Sequence, residues 1–317
     1  MKTFKTILFA VLLAVSFSSQ AQDLQTSVEK TETKTAPKWK ADFYSYYYNF
    51  AGTEASSKDD AQYDFDDATL NMQLMSLQYQ YSDKWTFQVM ATYLDNYVET
   101  KMYGPGGLTV YKDRTTGMGD TVFSAFTPLY ASAEALVLAD VGVSVPTGDI
   151  DQKNEYYPQY HYAYNMQNGS GTYDAVTGLT ALSFQGNTQL GSHLTGIFRN
   201  GRNANGYGLG NLFRADAWVD YNTKWGLTPR LVGYYKHKGA VRGEDQQYSP
   251  RGNSLVEFYY HDQINWDVSA ALKYSQPVGP VALSAEVGAP LAQGSRNYDN
   301  VVVSTEYYGS LNVGGSF

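Results

Sequence analysis

From Trp39 to the C-terminus, apolar residues recur at every second position for about ten residues at a time, then break at turn residues. Trp85, Phe87, Val89, Ala91 and Tyr93 share one phase; Thr86, Gln88 and Thr92 take the other. Phe213, Ala215, Ala217, Val219 and Tyr221 oppose Arg214, Asp216 and Asp220 in the same way. Ile264 to Tyr274 and Val281 to Val287 repeat the pattern, with Asn265, Asp267, Ser269, Lys273, Ser284 and Glu286 on the polar phase. Period two means extended chain, because successive side chains of a strand point to opposite faces. Near Leu74/Met75 and Val122/Phe123 both phases are apolar, and the facing of the second and fourth strands stays open.

The connections alternate in length. Long polar ones lie at 51–67, 99–118, 146–171, 200–210, 238–263 and 290–303; short ones lie at 82–83, 131–133, 185–187, 223–224 and 275–279. Six long and five short connections predict twelve strands with both termini on the short-turn side. Apolar on one face, polar on the other, with brief turns at one end and longer loops at the other, is the pattern of a transmembrane antiparallel β-barrel: lipid demands the first face and a wet or hydrogen-bonded lumen permits the second. The short turns would then be periplasmic and the long loops extracellular.

The N-terminus fits that location. Lys2 and Lys5 precede the apolar run Ile7 to Val15, and Ser19-Gln20-Ala21 supplies the small residues a signal peptidase reads, so residues 1–21 are expected to be a cleaved signal peptide. Residues 22–37 are rich in Thr, Glu, Lys and Gln and hold little to bury, which predicts a flexible periplasmic arm. Residues 38–317 are then the barrel. Beyond the leader no run reaches the ~18 apolar residues a membrane helix requires. At the other end Tyr307, Gly309, Leu311, Val313, Gly315 and the terminal Phe317 fall on one face. An aromatic last residue after alternating apolar positions resembles the signal by which the barrel-assembly machinery recognises outer-membrane proteins, which makes that machinery an expected partner through Phe317, beside outer-membrane lipid.

Composition sharpens the picture. The 317 residues include 29 Tyr, 29 Gly and no Cys, with charged residues at 17%, below the roughly 25% of a soluble domain. Such a chain has many strands and turns, and neither a thiolate nucleophile nor a cysteine-held metal. The net charge of −8 argues against a nucleic-acid partner, which needs a Lys/Arg excess on one face.

Three short motifs punctuate the middle of the chain: Gly117-Met118-Gly119-Asp120 opens the fourth strand, Pro146-Thr147-Gly148-Asp149 closes the fifth, and Gly169-Ser170-Gly171-Thr172-Tyr173-Asp174 opens the sixth. Together they resemble the MetA-like family of outer-membrane proteins linked to the meta-pathway of phenol degradation. Asn205-Gly206-Tyr207-Gly208-Leu209-Gly210, with Trp218 beyond it, resembles members of that group described as transporters. The likeness covers about Gly117 to Asp245. It implies an outer-membrane barrel for uptake of aromatic or other hydrophobic small molecules, with no cofactor. Read from the residues alone, the motifs are architectural: glycine supplies backbone angles denied to other residues where a strand bends into a loop, and proline ends a strand.

Site candidates come from two sets of residues. Asp140, Asp174, Arg214, Asp216, Arg230, Asp267, Lys273 and Glu286 fall on the polar phase of their strands. Inside a lumen such charges either line a watery path or pair into a network that holds the barrel closed. Leu136 and Leu138 oppose Val137, Val141 and Val143, so part of the lumen wall is expected to be apolar. The second set is tyrosine. Tyr44, Tyr46, Tyr47 and Tyr48 crowd the first strand, where an aromatic girdle at the membrane interface is the default. Tyr156, Tyr157, Tyr160, Tyr162 and Tyr164 crowd the loop after Pro146 and are candidates for solute capture at the mouth by stacking. The acidic run Asp59-Asp60 with Asp64, Asp66 and Asp67 lacks calcium-loop spacing and reads as a solvated loop, not a metal site.

Acid–base catalysis would need one of the four histidines within reach of a hydroxyl. His193-x-Thr195 is the nearest approach to a base beside a hydroxyl, with no evident orienting partner, so the chain is not expected to be an enzyme. The expected function is passive uptake of small hydrophobic or aromatic solutes down their gradient; the alternative is a plugged surface barrel whose loops bind a ligand or partner.

Overall fold

The computed structural model describes residues 39–54, 62–104, 107–247, 262–296 and 304–317. The leader, the arm, Asp59-Asp60 and His261 lie outside the described residues. β1 (Trp39–Glu54), β2 (Gln62–Gln80) and β3 (Thr86–Gly104) form an antiparallel meander. The next stave is in two pieces, β4 (Gly107–Met118) and β5 (Thr121–Ala131), both hydrogen-bonded to β3 and separated by Gly119-Asp120. β6 (Ala135–Val145), β7 (Asp174–Gln185) and β8 (Thr188–Arg199) follow in antiparallel order. β9 (Tyr207–Gly208) lies in a connection, where it pairs with β12 (Arg242–Gly243). β10 (Leu212–Tyr221), β11 (Leu227–Lys238), β13 (Gln263–Val278), β14 (Val281–Arg296) and β15 (Ser304–Ser316) complete the sheet.

β15 pairs back onto β1 from Lys40/Ser316 to Ala51/Ser304, sealed at the end by Phe317 N donating to Trp39 O at 2.9 Å and Trp39 N to Phe317 O at 3.1 Å. The thirteen-stranded sheet, with β4 and β5 sharing a stave, is therefore a closed twelve-stave barrel. Closure leaves no edge, the condition for a sheet to sit in lipid with every backbone group satisfied.

Facing follows the predicted phase. Phe87, Val89, Phe213, Val219, Leu272 and Leu311 are exposed, while Gln88, Arg214, Asp216, Asp220, Asn265 and Asp267 are buried. A continuous apolar exterior of this kind is untenable in water and is what acyl chains require. The mixed stretches also resolve: Leu74 and Val122 point inward, Met75 and Phe123 outward. Trp39, Tyr81, Trp85, Tyr221, Trp225 and Phe317 stand exposed around the short-turn end as an aromatic girdle. The two-residue turn Gly186-Asn187 between β7 and β8 needs glycine because its φ is +60°.

The long connections divide into two kinds. The stretch 99–118, expected to be a long polar connection, is a β-hairpin: β3 continues to Gly104 and β4 returns from Gly107. Similarly, β1 and β2 stay paired to Glu54/Asp64, and β14 runs on to Arg296. Above the lipid both faces of a strand are free to be polar, so period two disappears from the sequence while the ladder persists. In the β3–β4 hairpin, cross-strand ion pairs from Arg114 to Asp95 (2.8 Å) and Lys112 to Glu99 (2.9 Å) replace apolar contacts. The other kind, at 146–173, 200–211 and 239–247, is irregular and packs inward over the lumen.

Candidate functional site: the lumen and the loops that enter it

The glycine-rich motifs meet at the mouth. Asp120, in the break between β4 and β5, accepts from Gly148 N at 3.0 Å and Ser170 N at 2.8 Å. Thr147 Oγ1 donates to Gly119 O at 3.1 Å, and Asp149 O accepts from the backbone of Asn168 and Gly169. Gly148 and Gly169 lie backbone to backbone, and a Cβ on either would come within 2.6 Å of the other. Glycine is needed there for close approach, not for the unusual backbone angles the sequence suggested. The fourth motif joins the same knot: Asn203 Nδ2 donates to Ser170 O at 3.1 Å, and Asn205 Nδ2 to Ile150 O at 3.0 Å. Motifs separated by up to about ninety residues thus fix one loop, 146–173, in the barrel mouth.

That loop covers an apolar wall. Tyr44, Tyr46, Tyr48 and Phe50 of β1 and Leu70, Met72 and Leu74 of β2 all face inward and are buried, with Met90 and Leu94 of β3 and Val122 and Phe126 of β5 beside them. Tyr162 and Met166 of the loop pack into the same cluster. The girdle expected of the first-strand tyrosines is corrected accordingly: Tyr44, Tyr46 and Tyr48 share the inward phase of Asp42, and of the four only Tyr47 lies on the outward phase. Leu136 and Leu138 form a smaller inward patch with Leu182 and Trp218, as the phase of that strand implied.

The opposite wall, β8 to β14, with Asp140 of β6 and Asp174 of β7 beside it, is charged. Arg214 grips Asp216 through Nε at 2.8 Å to both carboxylate oxygens. Arg230 binds Asp220 at 2.6 Å and reaches Glu286 at 3.2 Å, and Lys273 is the register partner of Glu286. Asp174 takes Arg199 at 3.1 Å and Thr172 Oγ1 at 2.7 Å. Asp267 is bonded by Ser269 Oγ. Asp140 lies against Gly178, where a Cβ would collide with its carboxylate. Asp140, Asp174, Arg214, Asp216 and Asp267 are buried, while Lys273 and Glu286 are half-buried. Sequence reasoning missed Lys236, only 1% exposed, although it shares the phase of Arg230 six residues earlier.

The loop tyrosines part company. Tyr156 and Tyr157 are exposed, Tyr156 edge-on to Tyr111 at 5.2 Å, and Tyr160 is half-buried. Tyr162 and Tyr164 are buried and serve as anchors: Tyr164 packs on Tyr207 at 4.4 Å, and its hydroxyl accepts from Asp245 N. His161 binds Asp245 at 2.7 Å, tying loop 146–173 to the 239–247 segment. Burial raises the Tyr162 and Tyr207 phenols above their ordinary range. In the hairpin above the membrane, burial against this loop lifts the Asp113 carboxyl to about 6, opposed by a hydrogen bond from Tyr162 and assisted by the charge of Glu155. His193 Nδ1 bonds Thr180 Oγ1 at 2.7 Å, across to β7, and not the Thr195 hydroxyl of its own strand. A groove of about 440 Å³ involving Tyr47, Leu272, Tyr274, Val287 and Leu311 lies on the lipid-facing exterior, not in the lumen.

A closed antiparallel barrel with an apolar exterior band and an interior holding buried charges beside an apolar wall is a transmembrane β-barrel of the bacterial outer-membrane type. A family model described as "MetA-pathway of phenol degradation" matches residues 66–272, and the chain belongs to that family. Among solved structures the chain is similar to an outer membrane channel from Pseudomonas putida F1, at 14% identity and a TM-score of 0.58 over 91% of this chain and 98% of that one. It is also similar to a Pseudomonas aeruginosa FadL homologue, at 10% identity and a TM-score of 0.42 over 88% of this chain and 90% of that one. No curated protein sequence matches.

Proposed function

We propose that the protein is a narrow outer-membrane channel for passive entry of small hydrophobic or aromatic molecules. The observation that carries this reading is the inward apolar stripe Tyr44, Tyr46, Tyr48 and Phe50, which runs about 20 Å along β1 at ~3.3 Å per residue, facing a wall of charges. A general water-filled pore has no use for such a stripe, whereas an apolar solute moving between side chains is stabilised along its length. The side chains that face one another are nearly all buried, which suits a tight path for small solutes. The family's link to phenol degradation and the channel named among similar structures support the same reading.

A second reading has its own observation. Loop 146–173 sends Tyr162 and Met166 into the apolar cluster, as a plug would. The two separate in planar-bilayer recordings of the refolded chain. A channel gives a small ion current that benzyl alcohol, but not glucose, blocks saturably; a chain that is folded by its heat-shifted gel mobility yet carries no current is a plugged surface barrel.

A further inference from the structure

β8, β10, β11 and β13 run side by side, and their register sets Thr195 opposite Arg214, Arg214 opposite Lys236, and Lys236 opposite Asn265. All four side chains face the lumen and are buried, with exposures of 4%, 6%, 1% and 3%. Among the described residues each carries a donor with no hydrogen-bond partner: Thr195 Oγ1, Arg214 Nη1, Lys236 Nζ and Asn265 Nδ2. The charged pairs elsewhere on this wall satisfy one another; this row does not. Buried donors left unmade are costly, and a buried ammonium more so, unless an acceptor arrives to meet them.

The surroundings define that acceptor. Asp216 and Asp267 occupy the next row toward the short-turn end, and Arg214 and Ser269 hold them. One anionic head on the donor row is favoured, and a second negative group lower down is repelled. Across the lumen, Tyr48 of the apolar wall stands within electrostatic range of Arg214, and the Tyr234 ring lies 4.6 Å beneath the guanidinium. Donors and aromatic surface therefore meet at one level of the barrel.

We infer that this row is a carboxylate subsite, and that the solutes of the channel include small monocarboxylates with an aromatic or alkyl body. The head binds Arg214 Nη1 and Lys236 Nζ, with Thr195 and Asn265 flanking, and the body lies toward Tyr48. The inference rests on the channel reading and narrows its solute class.

Isothermal titration calorimetry of the refolded chain in detergent, with benzoate and benzyl alcohol as probes, tests it; block of the bilayer current by the same two compounds is measured beside it. Benzoate should bind at least about tenfold more tightly than benzyl alcohol, the scale of one charge-assisted contact. Lys236→Met should reduce that ratio about tenfold, and the isosteric Thr195→Val about threefold. Lys224→Met, on an exposed periplasmic turn, makes the same change in net charge and should leave the ratio unaltered. Equal affinity for the two probes, or full benzoate affinity in folded Lys236→Met, overturns the subsite. Benzoate binding without any current leaves the subsite standing and defeats the channel; current blocked equally by both probes does the reverse.

Discussion

The two sides of the lumen are built by opposite means. On the β1–β3 side the inward residues beneath the loop are mostly tyrosine, leucine and methionine, and they are stable there because loop 146–173 covers them with Tyr162 and Met166. On the β8–β14 side the inward residues are ions, and most are stable because a counter-ion or hydroxyl sits within hydrogen-bond distance. One wall depends on an element that crosses the mouth, while the other, its one row of open donors apart, is satisfied within its own sheet. The same outward code of apolar residues for lipid therefore leaves the inner face open to two solutions, and this barrel uses both at once.

The largest effect is expected on the charged side. Asp216→Leu strands the Arg214 guanidinium in the wall and should cost about 3–5 kcal/mol in urea unfolding from detergent, whereas Arg214→Met combined with Asp216→Leu should recover most of that loss. If the double variant is as unstable as the single, the pair is not a self-contained unit. On the apolar side, Leu70→Ala, at a residue with no exposure, should cost about 2–4 kcal/mol and enlarge the bilayer current, because the cavity opens into the lumen. An unchanged current with the expected destabilisation would place the path away from this wall.

The sequence made the barrel legible for a definite reason. Lipid imposes a strict phase on residues such as Phe213 to Tyr221, and pairing of Trp39 with Phe317 sets the start of β1 and the end of β15 at the short-turn end. It made the inner face only half legible. Arg214, Asp216 and Asp267 announced themselves as polar, but Tyr44, Tyr46 and Tyr48 look identical whether they face lipid or a covering loop. Nothing local to Tyr162 or Met166 says that their loop turns inward; that depends on Asp120 reaching Gly148 and Ser170 across the chain. The hairpin over 99–118 was hidden because water, unlike lipid, imposes no alternation. Lys236 was visible by phase, and only the register across four strands gives it meaning.

Smaller effects sharpen the dependence of the apolar wall on its loop. Asp120→Ala removes the acceptor for two backbone N–H groups and should cost about 1–3 kcal/mol, read as faster proteolysis within 146–173 of a barrel that stays folded. Cleavage no faster than in the parent would show that the knot does not hold the loop. The smallest effect is one of pH. Asp113 has a raised carboxyl, so the folded state binds its proton more tightly than the unfolded state does. Its contribution is fully present below about 4, falls as pH rises, and is lost above about 6. Proteolysis of the loop should therefore quicken as pH rises from 4 to 7, and Asp113→Asn should flatten that dependence. A profile that slows over the same range would reverse the sign and contradict the assignment.

Passage of solute between the two walls is directly testable, because the chain contains no cysteine. Tyr46→Cys places a single thiol on the apolar stripe, with Phe43→Cys on the lipid face as its counterpart. A small thiol-reactive methanethiosulfonate should abolish the bilayer current of Tyr46→Cys when added from either side of the membrane and leave that of Phe43→Cys intact. Current that persists after complete modification of Tyr46→Cys, or a thiol that neither side can reach, would contradict the account.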